Sequence, residues 1–361
     1  MESKTTAKFN EKFSSFVKSV TSDGNLVRLF FIMVGVFVLM AALRPEKFLT
    51  ANNFTSMAYQ MPEIGVFAIA VMMAMLLGGI DLSVVGVGNL SGIVATMTII
   101  ALQPTLGTWP SIWIGIALAL CTGIACGFLN GFLIAKVGIP AMLATLGSME
   151  IFSGIGIAVT KGAAVFGTPD EFTFIGAKAY LGIPGPMIVF ILVVIIFTIF
   201  LQKKQYGMEL YLLGTNPKAS RFSGIKNTSV IIKTHVAASV LASIAGIIIA
   251  SRANSAKADY GSSYTLQCLL VAILGGVNPS GGFGTVIGVV MAICTLQFLS
   301  SGFSILRFDS YLKTFIWGAV LIAAMIMNYY GNKMADKRKS RIASEINKDK
   351  SAAAENKEQN A

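Results

Sequence analysis

Long apolar stretches separated by short polar segments dominate this sequence. Most of the stretches are long enough to cross a bilayer as a helix. The pattern predicts ten membrane spans, at about residues 27–43, 62–77, 84–102, 111–135, 141–160, 187–201, 234–251, 264–277, 285–298 and 311–328.

The second and eighth predicted spans are short for a bilayer crossing, and both end in a glycine pair. Residues 75–83, M-L-L-G-G-I-D-L-S, align without gaps with residues 272–280, A-I-L-G-G-V-N-P-S. Paired, glycine-interrupted spans are typical of transporters, where the freed backbone groups face a pathway. Alternatively, the glycines permit close helix packing. We therefore predict an all-α polytopic membrane protein of about ten transmembrane helices, with two broken or short helices in an internal repeat.

Composition excludes an ordinary water-soluble domain. The chain is 55% hydrophobic and 12% charged, and a soluble domain carries roughly twice that charged fraction. The net charge is +11, but most of the lysines and arginines lie in three blocks, at the two ends and within residues 202–233. Such blocks are typical of cytoplasmic segments beside anionic lipid. The lipid bilayer is thus an expected partner, and nucleic acid is not.

The charge pattern predicts four segments. Residues 1–26 form a cytoplasmic tail, either a basic amphipathic helix or disordered, and residues 27–330 form the transmembrane permease domain. Within that domain, residues 202–229 form a cytoplasmic loop whose apolar and basic side chains suit docking onto another protein. Residues 331–361 form a disordered cytoplasmic tail. Both termini are expected in the cytoplasm.

The sequence offers little chemistry for an enzyme. Its four cysteines lie in apolar stretches without a C-x-x-C pair, and there is one histidine, His235. This pattern disfavours zinc and disulfides, and carboxylates are not paired at useful spacing. We predict no catalytic residue, metal or cofactor, and interpret His235 as a packed or interfacial residue. No cleavable signal peptide is expected, because the first 26 residues lack an apolar core.

Polar residues at membrane depth are the candidates for a translocation pathway. An ionised Asp81 in hydrocarbon would be costly, so it should meet water, a cation or a helix N-terminus; with Ser83 beside it, a helix cap is the plainest role. Glu150 either faces a pathway or pairs with a partner helix. The glutamines either bind solute hydroxyls or bridge helices. The candidates are Asp81, Ser83, Asn89, Glu150, Gln267, Asn278, Ser280 and Gln297.

Several motifs in register resemble the permease subunits of bacterial ABC importers for simple sugars, of the ribose, galactose, xylose and autoinducer-2 type. The likeness extends from about Phe48 to Tyr330. It rests on F-L-T-A-N-N-F at 48–54, G-G-I-D-L-S-V at 78–84, G-F-L-N-G at 127–131, P-A-M-L-A-T-L at 140–146, G-T-N-P-K-A-S-R-F-S-G-I at 214–225, S-I-A-G at 243–246 and L-G-G at 274–276.

The resemblance implies a pore-forming subunit of the cytoplasmic (inner) membrane that works by alternating access. Its expected partners are a cytoplasmic ABC ATPase subunit, a second permease copy or paralogue, an extracytoplasmic sugar-binding protein and a small-molecule solute. No P-loop motif occurs in this chain. Residues 214–225 resemble the element that couples to the ATPase, which implies coupling roles for Gly214, Asn216, Ala219, Arg221, Ser223, Gly224 and Ile225.

The substrate stays open at this stage, because Val85 and Glu150 depart from residues common in the family. Two other transporters are also compatible with the sequence. One is an ABC permease for branched-chain amino acids, which the Asp81 motif disfavours. The other is an ion-coupled secondary carrier, in which Asp81 and Glu150 would bind a cation.

Overall fold

Helices make up most of the computed structural model, which describes residues 24–309, 311–322 and 325–326. The predicted tails, 1–26 and 331–361, fall almost wholly outside those residues. Contacts divide the chain into two compact units, residues 1–314 and 315–361. The long helices are α1 Gly24–Leu43, α3 Ala51–Leu76, α4 Val84–Leu106, α5 Thr108–Phe132, α6 Ala141–Thr160, α7 Gly185–Lys203, α10 Asn227–Ala253 and α12 Val286–Ile305.

Shorter elements connect these helices. A π-helical turn, Leu133–Val137, continues α5, and a 3₁₀ helix, Asp170–Phe174, lies between α6 and α7. The four strands, β1 to β4, are two residues each and form two antiparallel pairs: β1 Val165–Phe166 with β4 Ser255–Ala256, and β2 Ala179–Tyr180 with β3 Ile183–Pro184. The short helices are α2 Pro45–Phe48, α8 Gln205–Thr215, α9 Pro217–Phe222, α11 Tyr264–Leu274 and α13 Tyr311–Ile322.

The helices confirm the predicted class and match the ten predicted spans in order. Eight are long and apolar enough to cross a membrane, and α11 and α13 are shorter apolar helices in the positions of the eighth and tenth spans. Several helices begin or end beyond the predicted apolar stretch. The reason is that backbone hydrogen bonding, and not hydropathy, sets where a helix ends.

The second span is longer than the sequence predicts, so it is not a short helix. Helix α3 has 26 residues and carries Pro62 inside it, where we placed its start. The helix begins at Ala51 because the Thr50 side chain accepts a hydrogen bond from the Asn53 N–H at 3.3 Å. Both predicted glycine breaks are present: α3 ends before Gly78, and α11, which is short, ends before Gly275.

Helix α10 packs against α3, α4 and α5, and α4 packs against α5; α3, α4 and α10 are mostly buried. The backbones of α4 and α10 touch, because a Cβ atom added to Gly246 would lie 1.9 Å from the Gly88 carbonyl oxygen. On α5, glycines at 123, 127 and 131 lie against α10 in the same way. The small residues of these apolar helices thus permit close approach in lipid.

Candidate functional site

The two glycine breaks of the internal repeat meet each other in space. The Gly282 N–H donates to the Leu76 carbonyl oxygen at 3.0 Å. A Cβ atom on Gly78 would lie 3.0 Å from the Ser280 carbonyl oxygen. The hydrogen-bonding groups released at the end of α3 are therefore met in part by the second break. We call the contact between residues 77–83 and 275–285 the break junction.

Helix α8 docks on the break junction through Gly214. A Cβ atom at Gly214 would lie 1.9 Å from the Leu76 carbonyl oxygen and 2.6 Å from the Gly282 nitrogen, so only glycine fits. One turn earlier, the Tyr211 hydroxyl donates to the Gly284 carbonyl oxygen at 2.7 Å. Burial raises the pKa of Tyr211 to about 12, so this hydroxyl stays a donor. Helix α8 is thus fixed to both breaks at once.

The remaining predicted coupling residues follow Gly214 on an exposed turn and helix. The Asn216 side chain caps α9 by accepting from the Lys218 and Ala219 N–H groups at 3.1 and 3.0 Å. Helix α9 leaves Phe222 with 92% of its surface exposed. The chain then turns at Gly224, whose φ of +81° favours glycine. Of the remaining predicted residues, Ile225 is half-buried, and the exposed ones are Arg221 and Ser223.

Asp81 lies in the first break, two residues before Ser83, the N-cap residue of α4; among the described residues no side chain caps the N–H groups of that helix, so the predicted cap is replaced by a turn closed on Ser83. The Asp81 Oδ1 atom accepts from the Ser83 N–H at 2.9 Å and from the Ser83 hydroxyl at 2.6 Å, at the start of α4. The Asn130 side-chain amide donates to Ser83 Oγ at 2.8 Å. The second carboxylate oxygen, Oδ2, lies 3.0 Å from Nδ1 of His235 on α10. All four side chains are buried.

His235 was interpreted as a packed residue, and it is buried, but the sequence did not predict its partner. Asp81 and His235 are 154 positions apart, so no local spacing joins them. A weaker signal was available, since each is an ionisable residue in an apolar region, and such residues pair with one another. A cavity of ≈ 260 Å³ lies beside His235, between Gly78 of the first break and Pro217 of α9.

The other predicted pathway residues do not join this network. Asn89 is buried and donates to the Ala258 carbonyl oxygen at 2.9 Å, and Asn278 accepts from the Ser280 N–H at 3.0 Å within the second break. Gln267 is half-buried and Gln297 is buried. The structure therefore brings together Asp81 and Ser83, places Asn278 and Ser280 in the second break, and leaves the other candidates on separate helices.

Glu150 stands apart on the exposed surface of α6, near the middle of that span. Neighbouring exposed side chains such as Ile151 are apolar, with 56% of Ile151 exposed. A carboxylate at mid-span is costly in lipid and faces a water-filled space or another chain in known membrane proteins. Asp81 and Glu150 are thus not members of one site.

A second charged cluster, which the sequence did not predict, joins the middle of α3 to the C-terminal end of α10. The buried Glu63 carboxylate forms an ion pair with Arg252, whose Nη2 donates to Oε2 at 3.1 Å. The Tyr264 hydroxyl on α11 donates to the same oxygen at 3.4 Å. On α10, Arg252 and His235 are 17 positions apart, about 25 Å along a helix. Ionisable pairs therefore join α10 to α3 through Glu63 and to the first break through Asp81.

The buried polar groups described above hold helices together, and the exposed segment after Gly214 is joined to the end of α3 and to the second break. Within residues 24–309, 311–322 and 325–326, no three His, Cys, Asp or Glu side chains group as metal ligands.

These features define a polytopic membrane protein of the transporter permease class. The family model described as "Branched-chain amino acid transport system / permease component" matches residues 53–325, and the chain belongs to this family. Within it, the chain is a member of the group of bacterial ABC permeases that includes those for ribose, allose, arabinose and autoinducer 2.

Curated relatives match over most of their length. The Ribose import permease protein RbsC of Bacillus subtilis (strain 168) is 31% identical over 88% of this chain and 98% of its own. The D-allose transport system permease protein AlsC of Escherichia coli (strain K12) is 29% identical, over 83% and 90%. The Autoinducer 2 import system permease protein LsrD of Klebsiella pneumoniae is 27% identical, over 82% and 88%. No solved structure matches the chain significantly.

Proposed function

We propose that this chain is the permease subunit of an ABC importer that moves a simple sugar into a bacterial cell across the inner membrane. The observation that carries the proposal is the docking of Gly214 on both glycine breaks. Through this docking, an exposed surface is joined to the ends of two transmembrane helices. A permease that is driven by a separate ATPase needs such a connection. The sugar assignment is supported by the relatives whose names specify ribose, D-allose and L-arabinose.

We place a cytoplasmic ABC ATPase on α9 and the turn at Gly224. Lys218, Arg221 and the 92%-exposed Phe222 offer a mixed basic and aromatic surface, and Arg and Phe are enriched at protein interfaces. Closure of the ATPase would move α8, and Gly214 would pass that movement to the break junction.

The other partners complete the importer. A second permease copy or paralogue lies against the α6 face that exposes Glu150, so that this carboxylate faces a shared pathway and not lipid. An extracytoplasmic sugar-binding protein delivers the solute at the opposite membrane surface. Both termini lie in the cytoplasm together with α8 and α9.

The coupling assignment predicts the effect of Arg221→Glu. Reversing this exposed charge should release the ATPase, because like charges placed across an interface cost several kcal/mol. Co-purification of the ATPase and uptake should both fall several-fold, while the chain still inserts. Lys178→Glu, at an exposed position between α6 and α7, is the matched control and should behave as the original chain. Normal uptake by Arg221→Glu would contradict the assignment.

The family description favours a second substrate class, branched-chain amino acids. Uptake of labelled ribose, allose, arabinose and leucine by cells with and without the chain separates the two. If cells without the chain lose uptake of a pentose or hexose alone, the result supports the sugar importer. If they lose uptake of leucine alone, the result supports the alternative. Uptake driven by an ion gradient without an ATPase would contradict both.

A further inference from the structure

A wide groove of ≈ 1150 Å³ opens between the start of α1, the link from α7 to α8, and the second glycine break. Asn25 and Leu26 line one side, Lys203 and Lys204 line another, and Phe283 belongs to the break. Nothing in the family assignment gives this groove an occupant. Its charge, its wall and its position each limit what can bind there.

The charge of the groove is positive. Both lysines are exposed, and neither forms an ion pair within the described part of the chain. Arg28 adds a third cation nearby, since its Nη2 donates to the Asn25 side chain at 3.3 Å. None of the residues lining the groove is a carboxylate. Glu209, on α8, is held by the Gln205 side chain at 2.8 Å. The groove therefore complements an anion.

The wall of the groove is apolar beside these charges. Met208 is 62% exposed, Leu212 is 47% exposed and Phe283 is 59% exposed. A soluble anion leaves such side chains in water. An occupant that also carries an acyl chain covers them, with a favourable free energy that grows with the apolar area buried.

The groove lies where two spans leave the membrane. Helix α7 ends at Lys203 and α1 begins at Gly24, and both are apolar enough to cross a bilayer. Basic pockets between transmembrane helices at this level bind anionic lipid headgroups. The segment before α1 is a poor competitor on charge, because residues 7–20 are themselves basic.

We propose that this groove binds an anionic phospholipid, with its phosphate between Lys203 and Lys204 and its acyl chains along Met208 and Phe283. The proposal rests on the membrane assignment alone and not on the importer function. A lipid held there would lie beside Gly282 and Gly284 of the second break, which line the groove.

Native mass spectrometry of the full-length chain, purified with phosphatidylglycerol in mixed micelles, tests the proposal. In Lys203→Gln/Lys204→Gln the retained phosphatidylglycerol should fall by about fivefold for each charge removed. Lys218→Gln/Lys226→Gln removes the same charge from exposed positions outside the groove and should retain the original amount. Raising the salt concentration should weaken binding to the original chain and leave the groove variant nearly unchanged.

Three outcomes would overturn the proposal. One is equal lipid retention by the groove variant and the control variant. The second is displacement of the lipid by soluble glycerol phosphate at equal concentration, which would make the apolar wall irrelevant. The third is equal retention of the zwitterionic phosphatidylcholine. Because the readout needs neither ATPase nor uptake, its failure is distinguishable from failure of the importer assignment.

Discussion

At the scale of single residues, the Asp81 carboxylate shows how a charge is tolerated at membrane depth. One oxygen accepts two hydrogen bonds from Ser83, and the other lies 3.0 Å from His235. A buried carboxylate is costly unless its oxygens are met in this way. Asp81 therefore stabilises the first break by hydrogen bonding to Ser83, the residue before α4, and by joining the break to α10.

Removing His235 should destabilise the chain strongly. His235→Ala leaves one Asp81 oxygen without its partner, and breaking one side of a buried pair costs about 3–5 kcal/mol. The double variant Asp81→Asn/His235→Ala should cost less than the sum of the two single variants, because no charge is then left unpaired. Denaturant unfolding in mixed micelles measures the free energy of unfolding of the single variants and of the double variant. His235→Gln keeps a donor and is the conservative control; a fully stable His235→Ala would refute the pairing.

At the scale of elements, the break junction explains why α8 sits where it does. Three backbone segments approach within contact distance at Gly214, Gly281 and Gly78, and a side chain at Gly214 or Gly281 would collide with backbone. Of the glycine pairs of the repeat, Gly78 makes this contact, whereas Gly275 lies against Val289 of α12. This combines both interpretations left open by the sequence: the freed backbone groups are partly paired, and the glycines permit close packing.

Gly214→Ala should separate α8 from the junction. The new methyl would lie 1.9 Å from the Leu76 carbonyl oxygen, so the backbone has to move, and overpacking of this kind costs about 1–3 kcal/mol. We expect ATP hydrolysis to persist in a reconstituted complex while uptake falls several-fold. Gly35→Ala on α1, where a Cβ atom meets nothing within 4 Å, is the matched control. Equal uptake by both variants would contradict coupling through Gly214.

The sequence predicts local features of the elements better than distant ones. The ten spans, both glycine breaks and the position of Asp81 just before α4 follow from apolar length and from residues adjacent in the chain. Even the true start of α3 had a local signal, Thr50 before Asn53. The pairs Asp81–His235 and Glu63–Arg252 join positions 154 and 189 apart. Such contacts depend on how helices pack, which one sequence does not encode in any spacing.

At the scale of the whole molecule, ionisable pairs connect α10 to its neighbours at two levels: Glu63–Arg252 joins it to the middle of α3, and Asp81–His235 joins it to the first break. The loop between α6 and α7 exposes Lys178, and α9 exposes Phe222. One candidate membrane span, α7, and the short helix α8 separate these two positions along the chain. A single crossing between them predicts that they lie on opposite sides of the bilayer.

The side on which each surface lies is the last prediction. Because Lys and Arg near span ends resist translocation, α9 and its basic neighbours should face the cytoplasm. In a background with the four native cysteines replaced, Phe222→Cys should react with a membrane-impermeant maleimide only in inside-out vesicles. Lys178→Cys should react only in whole cells whose outer barrier, but not the inner membrane, has been made permeable to the reagent. The opposite pattern would put α9 outside, where no ATPase could reach it, and labelling of both positions from one side would remove α7 as a crossing helix.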